Sequence, residues 1–398
     1  MKKLLIAILT LSCSTLLAQT KFAQLDQMLP TPNNYRAASG APGHAYYQQK
    51  ADYKMTLVLD DAKQRLDGVE TITYTNNSPD PLAYLWLQLD QNIYDQNADS
   101  KVIEVEKMEN FKSVSDLRKR DFYYDGGFKI ERITNMSGQP MKYFINKTMM
   151  RIDLAKPLLP GQNISFQIKW WYNINDRMQV GGRSGYEYFE TDQNYLYTIA
   201  QFFPRMCVYN DVTGWQNKQF LGRGEFTLPF GDYEVSITVP ADHIIGATGE
   251  CQNYASILSS EQRKRLEQAR KSDTPVIIVT QAEAEAAEKN KASQTKTWVY
   301  KATNVRDFAF ASSRKFIWDA QKQTVGNKDV LCMSYYPKEG NPLWGKYSTM
   351  VVAHTLRSYS KRTVAYPYPV AISCHATAGG GMEYPMISFN GGRQIGRA

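Results

Sequence analysis

The sequence predicts a mostly β protein, in which an antiparallel saddle or sandwich of strands is followed by the opening of an α/β unit. Apolar and polar residues alternate with period two along most of the chain, as in strands with one buried and one hydrated face. Only two stretches stand out as helical. The 26 tyrosines and seven tryptophans are typical of a β-rich exported protein. At 398 residues, two domains are expected.

The alternating stretches follow one another along the first 240 residues. The clearest are 53–59, 71–75, 85–89, 164–170 and 234–239. Each places its apolar side chains on one face and its polar side chains on the other. We therefore expect these segments to pair as antiparallel strands around a shared core.

Two regions are predicted to be helical. The first is a charged excursion at about 258–292, where Ser260 is the expected N-cap of a helix over 261–271. The following stretch, 282–291, is similarly polar and is expected to be partly mobile. The second helix follows Asn341-Pro342, which supply an N-cap and a first-turn proline, and runs to about Tyr359.

The architecture is expected to change near residue 320. Residues 19–320 are predicted to form the N-terminal β domain, including the helical excursion. Residues 321–398 contain a strand at 330–335, the second helix and a glycine-rich strand. This second unit has fewer than 80 residues, so we interpret it as the incomplete start of a larger α/β domain.

Residues 1–18 have the pattern of a secretory signal peptide. Lys2 and Lys3 precede a short apolar run, and a cleavage site lies before Gln19. We expect an exported protein, periplasmic, at the outer surface or secreted, with no integral membrane segment after cleavage. Lipidation at Cys13 remains open as an alternative to plain export.

Charge and cysteine usage disfavour several functional classes. The net charge of +8 falls to +6 without Lys2 and Lys3, and no basic run is present to follow phosphates, so nucleic acid is not an expected partner. Four cysteines follow the signal peptide, far apart and without a Cys-x-x-Cys pair. An oxidising compartment permits disulfides, but we expect mostly buried free thiols.

The segment 379–389, GGGMEYPMISF, suggests chemistry. A strand with an exposed edge can accept an extended peptide, and glycines let another backbone approach closely. A carboxylate at the end of such a groove, here Glu383, would pair with the α-amino group of a peptide. The alternative is a glycine-rich bend leading into a core strand, with Glu383 simply hydrated.

The sequence Gly380-Gly381-Met382-Glu383-Tyr384 resembles the Gly-x-Met-Glu-Asn motif of the zinc aminopeptidases related to aminopeptidase N and leukotriene hydrolase. Segments 220–250 and 304–313 resemble late β-domain strands of the same family, and the resemblance covers most of the mature chain. It implies an N-terminal β saddle followed by a thermolysin-like α/β catalytic domain. It also implies zinc-dependent release of N-terminal residues from peptides.

The resemblance also assigns roles to individual residues. Glu383 would hold the free amino terminus of the substrate, while the backbone of Gly380, Gly381 and Met382 would pair with the peptide and help bind its scissile carbonyl. Gln201 is the nearest match to a β-domain residue that lies beside the same amine in the family.

Tyr384 stands where the family usually has Asn, and Gly381 where Ala is commoner. The role of that Asn therefore does not carry over, and the tyrosine is expected to change how the first substrate side chain is seated.

The zinc motif of the family, His-Glu-x-x-His, does not occur in this sequence. None of His44, His243, His354 and His375 is followed by Glu or has a second histidine four residues away. His354, on a helix with apolar neighbours, and His375 are both expected to have structural roles. No other three-ligand site is readable from the sequence.

These observations leave two hypotheses. In the first, the sequence is the N-terminal part of a secreted zinc aminopeptidase, inactive alone, whose zinc motif and catalytic residues lie in a continuation beyond residue 398. In the second, it is a non-catalytic secreted protein that uses the β saddle to bind peptides or serve as a scaffold.

Overall fold

The structure is a computed structural model that describes residues 32–100, 124–222, 227–376 and 381–392. The predicted signal peptide and Gly380 lie outside the described residues. Residues up to Tyr47 form a unit of their own. In it, Arg36 and Pro42 form an antiparallel bridge, and the rings of Tyr35 and Tyr47 meet edge to face at 5.8 Å.

From Gln48 onward the chain forms a second unit, which begins with a long series of strands. In chain order these first elements are β1 (Lys50–Asp60), β2 (Arg65–Thr75), β3 (Leu82–Gln88), β4 (Lys129–Asn135), β5 (Lys142–Asn146), β6 (Met149–Leu158), β7 (Asn163–Asn173), α1 (Arg177–Val180), β8 (Gly185–Phe189), β9 (Asn194–Ile199), β10 (Arg205–Met206), β11 (Tyr209–Asn210), β12 (Gly214–Trp215) and β13 (Gly231–Pro240). A 3-10 turn at Asp90–Tyr94 follows β3.

The later elements include the longest helix. They are β14 (Ile244–Ala247), β15 (Glu250–Cys251), α2 (Tyr254–Ile257), α3 (Ser260–Ala269), β16 (Val276–Val279), α4 (Gln281–Asn290), β17 (Thr295–Val305), β18 (Phe310–Ser313), β19 (Ile317–Val325), β20 (Lys328–Tyr336), α5 (Leu343–Arg362), β21 (Val370–His375), β22 (Gly381–Tyr384) and β23 (Ile387–Asn390). A 3-10 turn at Lys338–Gly340 precedes α5.

The largest sheet has seven strands in the order β15-β17-β13-β1-β2-β7-β4. Its pairs are antiparallel except β1 with β13. Alternate residues of β1 are buried, as the period-two pattern predicts. The strand predicted at 85–89 ends at Gln88, one residue earlier than expected, because Leu89 is the N-cap of the 3-10 turn.

Three smaller sheets complete the predominantly antiparallel part of the molecule. Their strand orders are β10-β3-β6-β5, β14-β18-β9-β8 and β11-β12. The mostly β fold predicted from the alternating pattern is therefore confirmed.

A mixed six-stranded sheet, β16-β19-β20-β21-β23-β22, carries the second helix and the glycine-rich segment. Helix α5 packs on one of its faces, where the Oγ of Ser334 donates to the Oγ of Ser348 at 2.8 Å. The predicted domain boundary at residue 320 falls inside β19. Strand β16, which lies in the charged excursion at about 258–292, belongs to the same sheet. The position of the domain boundary stays a prediction.

The predicted helices form, with changed ends. Ser259, not Ser260, caps α3. Its Oγ accepts from the backbone N–H of Gln262, and its own backbone N–H donates to the Gln262 side chain, which completes a capping box. The polar stretch that was expected to be partly mobile forms α4, with a second capping box between Thr280 and Glu283. Helix α5 extends three residues beyond the predicted end at Tyr359.

The four described cysteines are free thiols, as predicted. Cys207, Cys332 and Cys374 are buried, and Cys251 is half-buried. Among the described helices, none has both the length and the apolar character needed to cross a membrane.

Candidate functional site

The glycine-rich segment forms a hairpin. The strand predicted to carry Glu383 is confirmed as β22, and the chain then reverses through Pro385 and Met386 into β23. Proline at the first turn position and a positive φ of 64° at Met386 are the features of a type II turn. The turn therefore reverses the chain directly after the Met-Glu sequence.

Thr248 holds this hairpin against the β strands. Its Oγ1 donates to the carbonyl oxygen of Pro385 at 2.9 Å and accepts from the backbone N–H of Ala309 at 3.1 Å. At the adjacent Gly249, φ is +92°, and an added Cβ would lie 2.3 Å from the carbonyl oxygen of Lys301. A glycine is required there, so Thr248 and Gly249, which lie within the 220–250 segment of the resemblance, also position the hairpin.

Strand β22 is the outermost strand of its sheet. Within the described part of the chain it pairs only with β23. This is the position in the sheet that the peptide-binding interpretation requires. An edge strand presents unpaired backbone groups that an extended peptide can use, and that use stays a prediction.

The side chain of Glu383 is exposed. No described residue donates a hydrogen bond to its carboxylate or lies within ion-pair distance of it. This environment is compatible with both sequence-based interpretations, a hydrated side chain and a carboxylate that awaits a cationic ligand. The role of Glu383 in binding an amino terminus therefore stays a prediction.

Glu383 belongs to a row of polar residues that crosses the sheet in register, which we call the polar row. The row consists of Asp319, Ser334, Ser373, Ser388 and Glu383, on five different strands. Register partners share a face of a sheet, so these side chains lie on the face that α5 covers in part.

Asn390 lies beside the polar row and is hydrogen-bonded to it. Its Nδ2 donates to the Oγ of Ser373 at 2.9 Å and to the Oγ of Ser388 at 3.0 Å. Sequence analysis missed these three residues. The available signal was the alternation Ile-Ser-Phe-Asn at 387–390, which puts two polar side chains on one face of a strand that is otherwise apolar.

A cleft of about 770 Å³ lies between α5 and strands β21 to β23. Glu383 lines it, and its helical wall is largely apolar, with Tyr347, Val351 and Tyr359 all exposed on α5. This volume is within the range of pockets that take small organic ligands. The site thus combines an open strand edge, an unpaired carboxylate and an adjoining apolar cleft.

Tyr384 follows Glu383, so its side chain is directed to the opposite face of the strand. It is only 7% exposed, and its ring packs against Phe389 at 5.6 Å. Burial, and then the charge of Asp307, raises the pKa of its hydroxyl. This tyrosine therefore belongs to the protein interior.

A buried ion-pair cluster lies near the Tyr384 hydroxyl. Arg205 is fully buried and donates to Asp90 at 2.7 Å and to Asp307 at 2.6 Å. Removing a buried partner of this kind is strongly destabilising, so the cluster fixes the interior beneath the hairpin.

The other predicted site residues occupy varied environments. Gln201 is 4% exposed, its carbonyl oxygen accepts from Nε2 of Gln91 at 3.0 Å, and no described hydrogen bond joins it to β22. Gly381 is exposed and Met382 packs partly against the core. The substrate-binding roles of Gln201, Gly381 and Met382 stay predictions.

Two of the histidines differ in surroundings. His375 is fully buried and its ring lies 5.2 Å from that of Trp344, in agreement with a packing role. His354 is exposed, and its ring nitrogens lie 3.2 Å from Arg357 and Ser358. The apolar surroundings expected for His354 were wrong, because it occupies the hydrated side of α5.

Zinc in proteins is held by clustered His, Cys, Asp or Glu side chains. In the described residues no group of three such side chains is assembled. The residues that the structure describes therefore do not fit a zinc ion, and no chemical step through zinc is derived from them.

Comparison with solved structures identifies the architecture. A two-domain M1 zinc metallopeptidase bound to L-tryptophan is similar over 88% of this chain, with a TM-score of 0.51 and 13% sequence identity. The fold is that of an M1 zinc metallopeptidase. The mostly β fold predicted from the sequence agrees with this likeness, whereas the assignment of the last residues to a catalytic domain stays a prediction.

Two further solved structures match this chain with TM-scores just under 0.5. The M1 zinc metallopeptidase from Deinococcus radiodurans has 12% identity and a TM-score of 0.49, over 88% of this chain and 61% of its own length. A mutant from the same organism, bound to a Tyr-Ser-Ala substrate, has 13% identity and a TM-score of 0.49 over 88% and 62%.

This chain spans 62% of the length of the L-tryptophan-bound metallopeptidase, which is less than two thirds. No family model and no curated protein matches the sequence.

Proposed function

We propose that this chain is the N-terminal, peptide-recognising part of an exported zinc-dependent aminopeptidase. In this proposal Glu383 binds the free amino terminus of a peptide. The observation that carries it is the position of Glu383, which is exposed and unpaired among the described residues, on an edge strand beside a cleft of about 770 Å³. The M1 fold supports the same assignment.

The peptide would add to β22 as a further strand, using main-chain hydrogen bonds for affinity. Its terminal ammonium would then pair with the Glu383 carboxylate. This pairing would select peptides whose free amino terminus lies at Glu383. The backbone at Gly381 has no side chain to block the approach. The apolar wall of α5 offers contact to the first side chain of the peptide.

Zinc, when held by such an enzyme, activates a water molecule and polarises the scissile carbonyl. The described residues do not assemble ligands for it, and the sequence contains no His-Glu-x-x-His motif. We therefore propose that the chain alone binds peptides without cleaving them, and that the full enzyme releases one N-terminal residue at a time.

The test is calorimetric titration of the purified chain with the tripeptide Leu-Gly-Gly and with its N-acetyl form. Because Glu383 is exposed, we expect a preference for the free amine of only about 3- to 10-fold, corresponding to about 1 kcal/mol. This preference is smaller than the one expected if the ammonium and the carboxylate formed a buried ion pair. Glu383→Gln should abolish the preference.

Glu261→Gln, which neutralises an exposed carboxylate on α3, is the matched control and should leave the preference unchanged. Equal binding of free and acetylated peptide by the unmodified chain would contradict the role of Glu383. It would favour the alternative of a non-catalytic scaffold or peptide-binding protein.

The proposed export is tested separately. Expressed in a bacterial host with its leader, the protein should be recovered outside the cytoplasm with an N-terminus at Gln19. Recovery from the cytoplasm with an intact N-terminus would contradict export. Recovery of a protein that begins at a lipid-modified Cys13 would support the lipidation alternative over cleavage before Gln19.

A further inference from the structure

The orientation of the Asn390 amide follows from its neighbours. The Oγ of Ser388 donates its one hydrogen to the carbonyl oxygen of Ile372 at 3.3 Å, so towards Asn390 it can only accept. The amide nitrogen of Asn390 must therefore face Ser388 and Ser373. Its carbonyl oxygen, Oδ1, is left pointing towards the other side, where Gly381 lies opposite in the hairpin.

Gly381 leaves a gap between two acceptor oxygens. A Cβ added at this glycine would lie 3.0 Å from Oε1 of Glu383 and 3.2 Å from Oδ1 of Asn390. Both oxygens thus border one small space that the missing side chain leaves empty. Neither accepts a hydrogen bond from any described residue, and Gly381 is exposed, so the space is open to solvent.

Two acceptors that converge on one open point favour a ligand with several N–H donors and a positive charge. A primary ammonium has three donors, so it can bind both oxygens at once. A carboxylate, phosphate or carbonyl would face repulsion from the same oxygens. The chemistry at this point therefore favours a primary amine.

We propose that Asn390 is a second binding residue for the substrate amino terminus, which donates one hydrogen bond to Glu383 Oε1 and one to Asn390 Oδ1 across the gap at Gly381. Ser388 and Ser373 are positioning residues that fix the Asn390 amide. The two acceptors would therefore distinguish amine ligands by their number of N–H donors as well as by their charge. This inference rests on the proposed function and deepens it.

The test compares three forms of leucinamide: the free amine, the N,N-dimethyl derivative and the N-acetyl derivative. The dimethylammonium keeps the positive charge but has a single N–H donor, so it can satisfy only one of the two acceptors. With the unmodified chain we expect the free amine to bind about 3- to 5-fold more tightly than the dimethyl form, and the dimethyl form to bind more tightly than the acetyl form. Affinities are measured by calorimetry or by ligand-observed NMR.

Asn390→Leu removes the acceptor at nearly constant volume, and it should reduce the preference for the free over the dimethyl amine to about twofold or less. Asn390→Asp keeps an acceptor oxygen and adds a negative charge, and the hydroxyls of Ser373 and Ser388 can rotate to donate to it. It should therefore retain or strengthen the preference. A role for Asn390 only as a hydrogen-bond donor to the two serines would not be rescued by Asp, because aspartate cannot donate. Folding of each variant is checked by circular dichroism.

The outcomes separate this inference from the proposed function. If free and dimethyl amines both bind more tightly than the acetyl form and Asn390→Leu changes no ratio, the role of Glu383 stands and the second acceptor is wrong. If the acetyl form binds as tightly as the free amine, the proposed function fails first. Should Asn390→Leu not fold, loss of the free-over-dimethyl preference in Ser388→Ala would support the inference, and a retained preference would contradict it.

Discussion

The two ends of the polar row carry carboxylates in opposite environments. Asp319, at one end, is 2% exposed, accepts from the hydroxyl of Tyr336 at 2.7 Å and also accepts from the hydroxyl of Thr349. Glu383, at the other end, is exposed and has no partner among the described residues. The two residues lie on the same face of the same sheet, so the difference comes from what covers each end.

Asp319 therefore has the environment of a structural carboxylate, whereas Glu383 has that of a carboxylate available to a ligand. Burial under α5 raises the pKa of Asp319 to about 6, while the two hydroxyls supply the donors that a buried acceptor requires. Glu383 has no donor among the described residues, and it lies where the helix no longer covers the sheet. A carboxylate without internal donors on an open edge is suited to receive them from a ligand.

The largest loss of unfolding free energy should come from the substitution of a buried charged residue that has several ion-pair partners. The ammonium of Lys315 is fully buried and contacts Asp192, Glu288 at 2.9 Å and Glu339 at 3.1 Å. Lys315→Met leaves these carboxylates short of a partner and should lower the free energy of unfolding by about 3–5 kcal/mol. Urea unfolding measures this.

Lys322→Met is the control for that change. Lys322 lies on β19 and pairs with a largely exposed Asp273 at 3.3 Å, so its loss should change the free energy of unfolding by less than about 1 kcal/mol. Equal losses for the two variants would show that burial does not distinguish the two pairs.

The next largest effect concerns the covered end of the polar row. Asp319→Ala removes the acceptor of the Tyr336 hydroxyl and leaves Thr349 with Ser334 as its remaining partner. It should cost about 2–4 kcal/mol of unfolding free energy, because a buried hydroxyl loses its partner and a cavity is left in a buried polar cluster. Asp329→Ala, which removes an exposed acceptor of Thr324, should cost under about 1 kcal/mol in the same assay. Peptide binding at Glu383 should remain after either change.

The pH dependence of stability should report on Asp319, at the covered end of the polar row. The pKa of Asp319 is about 6 in the folded protein, against about 3.9 in an unfolded chain. Between these values the folded state binds more protons than the unfolded state, so this group contributes a stability that is lost as the pH rises.

From pH 4 to pH 7 the unmodified protein should therefore lose about 2 kcal/mol more unfolding free energy than Asp319→Asn, which cannot titrate. Thermal or urea unfolding at a series of pH values measures the difference. Parallel pH profiles for the two proteins would contradict the raised pKa of Asp319.

The smallest effect on stability is expected at the open end. In the part of the chain that the structure describes, Glu383→Gln removes no hydrogen bond or ion pair, so the free energy of unfolding should change by less than roughly 0.5 kcal/mol. The same variant should lose selectivity for free amino termini. A loss of stability comparable with that of Asp319→Ala would mean that Glu383 has a structural role and would end the contrast between the two carboxylates.

The local elements of this protein could be predicted from the sequence alone. Period-two alternation identified strands such as β1 and β7, and Asn341-Pro342 marked the start of α5, because these features depend on side chains close together along the chain. The Met-Glu sequence was also sufficient to identify the strand that carries Glu383. Capping residues were ambiguous by one position, since Ser259 and Ser260 are both competent caps.

The grouping of residues in the site depended instead on long-range packing. The sequence could not place Asn390, Ser373 and Glu383 together, because their proximity depends on strand order and register in a sheet that also contains Asp319, more than fifty residues away in the chain. It also could not show that β22 is the edge strand or that α5 leaves the Glu383 end uncovered. Both follow from the tertiary structure, in which the free energy of the whole sheet selects the neighbours of each strand.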